Sequence, residues 1–200
     1  MEKKEYSAGM VKLSFWFMEI RKVISLLNSG KTIQEIKKLN EEENIFGAPT
    51  IVRAKQMMAT VGSRATSLDE NLLQIFEYSD VSTQKIINLI AIMNVDQLFF
   101  EFIYEVYREK IIIGEYTITD MDLSVFFKNK QLQSERAAKW KDYTLKRLGA
   151  CYKTMLMEAG LIGNEGKDRK ILIPILDIRL ENYLKDTGQN IYIKALTGVR

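Results

Sequence analysis

Histidine is missing from all 200 residues, and that absence removes more chemistry than any residue present suggests. Without it there is no imidazole for general acid/base work, no Ser-His or Cys-His nucleophile pair, and no histidine metal ligand. Cysteine occurs once, at Cys151, so no internal disulfide framework exists and a reducing compartment is expected. Proline occurs twice, too seldom for a proline-rich linker or a disordered tail. No GxxxxGK[ST] or GxGxxG loop is present to cradle a phosphate. The longest charge-free apolar run, Ile86 to Val95, holds ten residues with two asparagines among them. A spanning helix needs about 20 apolar residues, so no membrane span is expected. No basic stretch followed by an apolar segment and a small-residue cleavage site stands near the first residues. Together these absences point to a cytoplasmic, non-enzymatic protein without cofactor or metal.

What the chain does hold is apolar mass and helical periodicity. Hydrophobic residues make up 46% and charged residues 28%, enough for a sizeable core. Tyr6 to Asn28 carries Phe15, Met18, Val23, Leu26 and Leu27 at helical spacing and is stopped by Ser29-Gly30. Thr32-x-x-Glu35 matches a capping box, and Pro49 suits the first turn of a third helix through Ile51, Ala54, Met57, Met58 and Val61. Ser67-Leu68-Asp69-Glu70 matches a second capping box. Ser82 to Met93 is apolar on nearly all sides and reads as a buried central helix; Val95 to Ile113 follows, with Phe99, Phe100, Phe102 and Tyr104 as core.

The segment from Thr119 to Pro174 reads as a winged helix-turn-helix. A helix from Thr119 is followed by a turn, a short helix Glu135 to Lys139, and a longer third helix from about Asp142 to Ala159 that ends in Gly160. The polar tip Asn164 to Asp168 then leads to the β-branched run Ile171-Leu172-Ile173, read as a strand returning from a hairpin and stopped by Pro174. Helices Ile178 to Lys185 and a turn-like segment Ile191 to Leu196 close the chain. The expected fold is therefore mainly α, with a helical bundle over 1–115 and a winged-helix-like module with its small β-hairpin over 116–200.

Charge is uneven. Residues 65–127 carry 3 basic and 11 acidic groups, whereas 128–153 carry 8 basic and 2 acidic. That positive stretch coincides with the second and third helices of the winged module. Lys139, Lys146 and Lys153 are seven apart and drift by only ~20° per heptad on a helix. Leu145, Leu148, Tyr152, Met155, Leu156 and Ala159 take the core side. The expected reading is double-stranded DNA: Thr144, Lys146, Arg147 and Lys153 in or along the major groove, with Lys128, Lys130, Arg136, Lys139, Lys141, Lys167, Arg169 and Lys170 on phosphates, which fix register rather than sequence. Arg21, Lys22, Arg53, Lys55 and Arg64 form a second, weaker basic surface. The paired carboxylates Asp120/Asp122 and Glu101/Glu105 are read as helix-capping and solvated groups, Trp140 as packing, and Cys151 as a buried inert thiol. Protein docking and RNA binding are the competing readings of the same module.

Tyr6-Ser7-Ala8-Gly9 and Phe15-Trp16-Phe17-x-Glu19-x-Arg21-Lys22-Val23 resemble the start of the BrxA family of BREX bacteriophage-defence systems. The resemblance continues through Glu43-Asn44-Ile45-Phe46-x-Ala48-Pro49, Phe102-x-Tyr104-Glu105-Val106-Tyr107-Arg108-Glu109-Lys110 and Glu158-Ala159-Gly160-Leu161-Ile162. It implies a mostly helical protein with an amino-terminal part similar to the NusB bundle. It also implies a DNA-binding role and other BREX proteins as partners; a homo-oligomer is a further expectation. Some members of the family are described as inner-membrane proteins, which the hydropathy of this chain contradicts.

Overall fold

The computed structural model describes residues 5–163 and 169–199. The chain is mainly α-helical and forms two compact units, one spanning 16–95 and the other joining the amino-terminal segment up to Phe15 with everything from Asp96 onward. The division falls between Val95 and Asp96 rather than near residue 115.

The 16–95 unit holds α1 (Phe17–Asn28), α2 (Ile33–Glu43), α3 (Ile51–Thr66), α4 (Glu70–Tyr78) and α5 (Val81–Val95). The first helix starts at Phe17, not Tyr6, because Trp16 takes a left-handed backbone (φ 50°) at its amino cap, a conformation that breaks a right-handed helix. The Thr32/Glu35 capping box is formed in both directions. In α4 the cap is Asp69, whose carboxylate accepts from the Leu72 N–H at 3.0 Å, in place of Ser67. α5 is the buried central helix: of the eleven positions from Thr83 to Met93, all but Lys85 are buried, so core positions lie on every side of it. That all-round burial explains its lack of a polar face.

In the other unit, a 3₁₀ turn (Gly9–Lys12) packs against α10. α6 (Gln97–Phe102) runs through a π-helical turn (Ile103–Tyr107) into α7 (Arg108–Ile113). Then come β1 (Thr117–Ile118), α8 (Asp120–Gln133), α9 (Glu135–Ala138), α10 (Asp142–Glu158), β2 (Arg169–Lys170), α11 (Ile178–Asp186) and α12 (Asn190–Thr197). The segment Ile191 to Leu196, expected as a turn, is thus helical. The core explains why the unit boundary precedes α6. Phe99 and Phe102 of α6 pack on Tyr152 of α10 at ring separations of 5.0 and 5.2 Å, and Phe102 meets Phe126 of α8 at 5.4 Å. Edge-on and tilted geometries of this kind add to simple burial. The Tyr152 hydroxyl lies in this aromatic nest without a hydrogen-bond partner among the described residues, and burial pushes its pKa well up.

The β-structure differs from the expected hairpin. β2 pairs antiparallel with β1, Thr117 opposite Lys170 and Ile118 opposite Arg169, while Ile162 and Ile171 form one further bridge on the other side. The strand therefore lies at Arg169-Lys170, ahead of the run Leu172 to Pro174, which belongs to no strand. Gly160 has φ +80°, and its left-handed cap ends α10 with a Leu161 N–H to Leu156 carbonyl bond of 2.8 Å.

α8 begins with a capping box of its own: the Thr119 hydroxyl accepts from the Asp122 N–H at 3.3 Å, and Asp122 accepts from the Thr119 N–H at 2.7 Å. Thr119→Ala removes two bonds, the one the hydroxyl accepts from the Asp122 N–H and the one it donates to the Asp122 carboxylate at 2.8 Å, and leaves the third less well oriented. Thermal unfolding is expected to show a loss of about 1 kcal/mol; an unchanged melting curve would mean the cap carries no stability.

Among the described residues no single helix is long and apolar enough to cross a membrane. α5 and the Gln97–Ile113 stretch reach that measure only when counted together.

Candidate nucleic-acid interface

α10 is divided into strips by what its side chains touch. Leu148, Tyr152, Met155 and Leu156 are buried in the core. Gly149 faces α8; a Cβ there would stand 3.3 Å from Leu123 and 3.6 Å from Phe127, so glycine sets how closely the two helices approach. Cys151 is half-buried, and its thiol donates to the Met10 carbonyl at 3.1 Å. The strip left open runs Tyr143, Lys146, Arg147, Ala150, Thr154. Its amino-terminal half is cationic and its carboxyl-terminal half has short side chains, a profile that lets a helix sit deep against a groove.

Between α8 and α10 lies a groove of about 610 Å³. Leu123, Phe127, Leu145 and Gly149 form its floor, and Lys128, Lys146 and Lys153 stand on its rim with Asp120 and Asp142. Lys146 and Lys153, seven residues apart, do share this side of α10. Lys139 lies beyond the end of α9, outside α10, so the line of three is a line of two.

The predicted cations have different fates. Lys128, Lys139, Lys141, Lys146 and Lys170 are exposed and make no ion pair among the described residues. Arg147 is exposed, reaches the Val11 carbonyl at 3.4 Å and lies 5.7 Å from the Tyr143 ring. Thr144 and Arg169 are half-buried. Arg136 pairs with Glu5 at 2.7 Å and Lys153 with Asp120 at 2.6 Å; both are reachable pairs that a phosphate can replace. Lys167 lies outside the described residues.

Lys130 is a correction. It is 2% exposed, and its ammonium contacts Glu101 and Glu105, each at 2.6 Å. It points into the unit because it stands on the face of α8 that also carries Phe126 and Phe127, four and three residues earlier. A lysine so placed has no phosphate to meet. Glu101 is corrected with it, since its largely covered carboxylate holds this lysine; Glu105 also holds the lysine but stays half exposed. Glu101 also accepts from the Tyr6 hydroxyl at 2.6 Å and from the Gln97 amide at 2.9 Å. Burial works against ionisation of Glu101, but the bonds from Lys130, Tyr6 and Gln97 outweigh it and hold the carboxyl below the usual carboxylate range. The same carboxylate pushes the Tyr6 phenol up, after burial as the larger cause.

The second basic surface is dispersed. Arg64 is 1% exposed and stacks near Trp16, as Arg53 does; Lys22 donates to the Ile45 carbonyl, and Lys55 pairs with Glu41.

A family model described as BrxA matches residues 4–188. Over 198 residues the chain is 37% identical to the BREX protein BrxA of Bacillus cereus (strain H3081.97), covering 99% of each. The chain belongs to the BrxA family. A crystal structure of an uncharacterized protein from Magnetospirillum magneticum superposes with a TM-score of 0.82 over 98% of this chain and 100% of that one. At 17% identity this likeness speaks for the fold alone, and it extends the BrxA architecture to a distant sequence.

Proposed function

We propose that this BrxA-family chain is a non-enzymatic accessory component of a BREX bacteriophage-defence system that holds double-stranded DNA mainly through backbone phosphates. The observation that carries the reading is the open strip of α10, cationic at Lys146 and Arg147 and left uncovered by the rest of its unit. The order helix, helix, long helix, with β1 and Ile162 on either side of the β2 strand, supports the winged-helix reading. In such modules the last helix enters the major groove and the hairpin flanks it. Lys153 continues the cationic side of α10, Lys128, Arg136, Lys139 and Lys141 lie on the segments before it, and Arg169 and Lys170 stand at the base of the wing.

With Lys130 withdrawn, about five of these cations engaging phosphates give a log K against log salt slope near −4 to −5. Fluorescence anisotropy on unrelated duplexes at several salt concentrations measures it directly. Salt-sensitive, sequence-tolerant binding is expected. A slope near zero, or stronger retention of structured RNA than of duplex DNA in competition, would remove the reading.

A further inference from the structure

Residues 5–13 form a strap that touches α6, α9 and α10. Two buried side chains pin it. Tyr6 donates its hydroxyl to Glu101 of α6 at 2.6 Å, and Met10 is buried with its carbonyl accepting from the Cys151 thiol of α10 at 3.1 Å.

Beside each pin, an oxygen of the strap reaches a cation. Glu5, next to Tyr6, pairs with Arg136 of α9 at 2.7 Å. Val11, next to Met10, offers its carbonyl to Arg147 of α10 at 3.4 Å. Both guanidinium groups are among those assigned to DNA above. Each already holds an acceptor supplied from the opposite end of the sequence, 131 and 136 residues away.

The two contacts differ in strength. A guanidinium accepts a carboxylate and a phosphate by the same planar fork of donors, so Glu5 competes with DNA in kind. The Val11 carbonyl is neutral and its bond long, and an arriving phosphate loses little by replacing it. The Glu5 and Arg136 side chains are 79% and 56% exposed, so their pair opens without disturbing the core. Resting on the duplex reading above, we propose that Glu5 is an internal substitute for phosphate: the strap holds it on Arg136 in the free protein, and it must be displaced before that arginine takes a DNA phosphate. The result is a threshold. A carboxylate tethered beside its cation outcompetes a single dissolved anion, whereas a duplex that engages several cations together displaces it.

Anisotropy titrations of duplex DNA into four full-length proteins test this: the natural chain, Glu5→Gln, Arg136→Gln and the two substitutions together. Glu5→Gln is expected to tighten binding about threefold, the scale of an exposed ion pair. Its salt slope should steepen by up to about one, because the natural chain takes back a counterion on the freed carboxylate and the variant does not. Arg136→Gln should weaken binding, and adding Glu5→Gln to it should change nothing, since no cation is left to hold. All four are expected to share one circular-dichroism spectrum. Duplex binding by Glu5→Gln no tighter than that of the natural chain overturns the phosphate substitute and leaves the DNA reading standing. A gain that persists beside Arg136→Gln also overturns it, by showing net charge alone at work. Failure of all four to bind duplex even at low salt removes the DNA reading and the substitute together.

Discussion

Lys146→Glu combined with Arg147→Glu is expected to weaken duplex binding on the order of a hundredfold, about 1.4 kcal/mol for each position. Both side chains stand in the open strip of α10 and neither holds the fold. Lys146 makes no ion pair among the described residues, and Arg147 contributes only a long bond to the Val11 carbonyl and a ring contact with Tyr143. Removing two phosphate contacts should also flatten the salt slope by roughly two. That second readout separates lost contacts from a general change of net charge. Lys37→Glu with Lys38→Glu, on α2, makes the same charge change away from α10 and is expected to leave the slope where it was. Equal loss in both double variants would move the interface off α10.

The second large effect concerns stability. Lys130→Met keeps the volume of the side chain but leaves Glu101 in a pocket built for an ammonium. Breaking one partner of a buried pair strands the other charge, and a loss of about 3 kcal/mol is expected, lowering the melting temperature by on the order of 10 °C in a chain of this size. Lys130→Met joined to Glu101→Leu should recover most of that, since neither charge then remains to be solvated. The effect depends on pH in a fixed direction. Glu101 has a folded pKa below its unfolded value, so its contribution is complete above the ordinary carboxylate pKa and drains away as pH falls through the folded one. The gap between the natural chain and Lys130→Met should therefore narrow in acid, where Glu101 is neutral in both. A gap that stays constant from neutral pH down into the acid range would show that the pair contributes packing only.

Where periodicity was strong, the sequence already told the fold. The all-round apolar pattern of α5, the Thr32/Glu35 box, the stop at Gly160 and the three helices α8, α9 and α10 are local features, written in residues a few positions apart. The left-handed turn at Trp16 is not local in that sense: Trp has no preference for it, and the surrounding structure must impose it. The division between Val95 and Asp96 is hard to read for a related reason. Asp96 opens a helix that looks continuous with α5, and only the aromatic contacts of Phe99 and Phe102 with Tyr152 and Phe126 assign it to the other unit.

Among the site residues, Lys128, Lys139, Lys141, Lys146 and Arg147 could be placed on the surface from charge and spacing. Lys130 could not, although one signal was available. It follows Phe126 and Phe127 at helical spacing, and Glu101 and Glu105 are four apart on a segment rich in core aromatics. A cation on an apolar face and two carboxylates on another are complementary, but nothing in the sequence says that the two faces meet.

The amino-terminal segment belongs to the unit that begins again at Asp96, and this sets an order of events during synthesis. Met10 finds its contact with Cys151 141 residues further along. At ribosomal speeds of 5–20 residues per second, that partner emerges on the order of ten seconds later. The whole of 16–95 is by then outside the ribosome and has its own core to fold around. The segment bearing Phe15, fully buried in the finished protein, spends that interval without its docking site, a window in which a chaperone that grips short apolar stretches would find it.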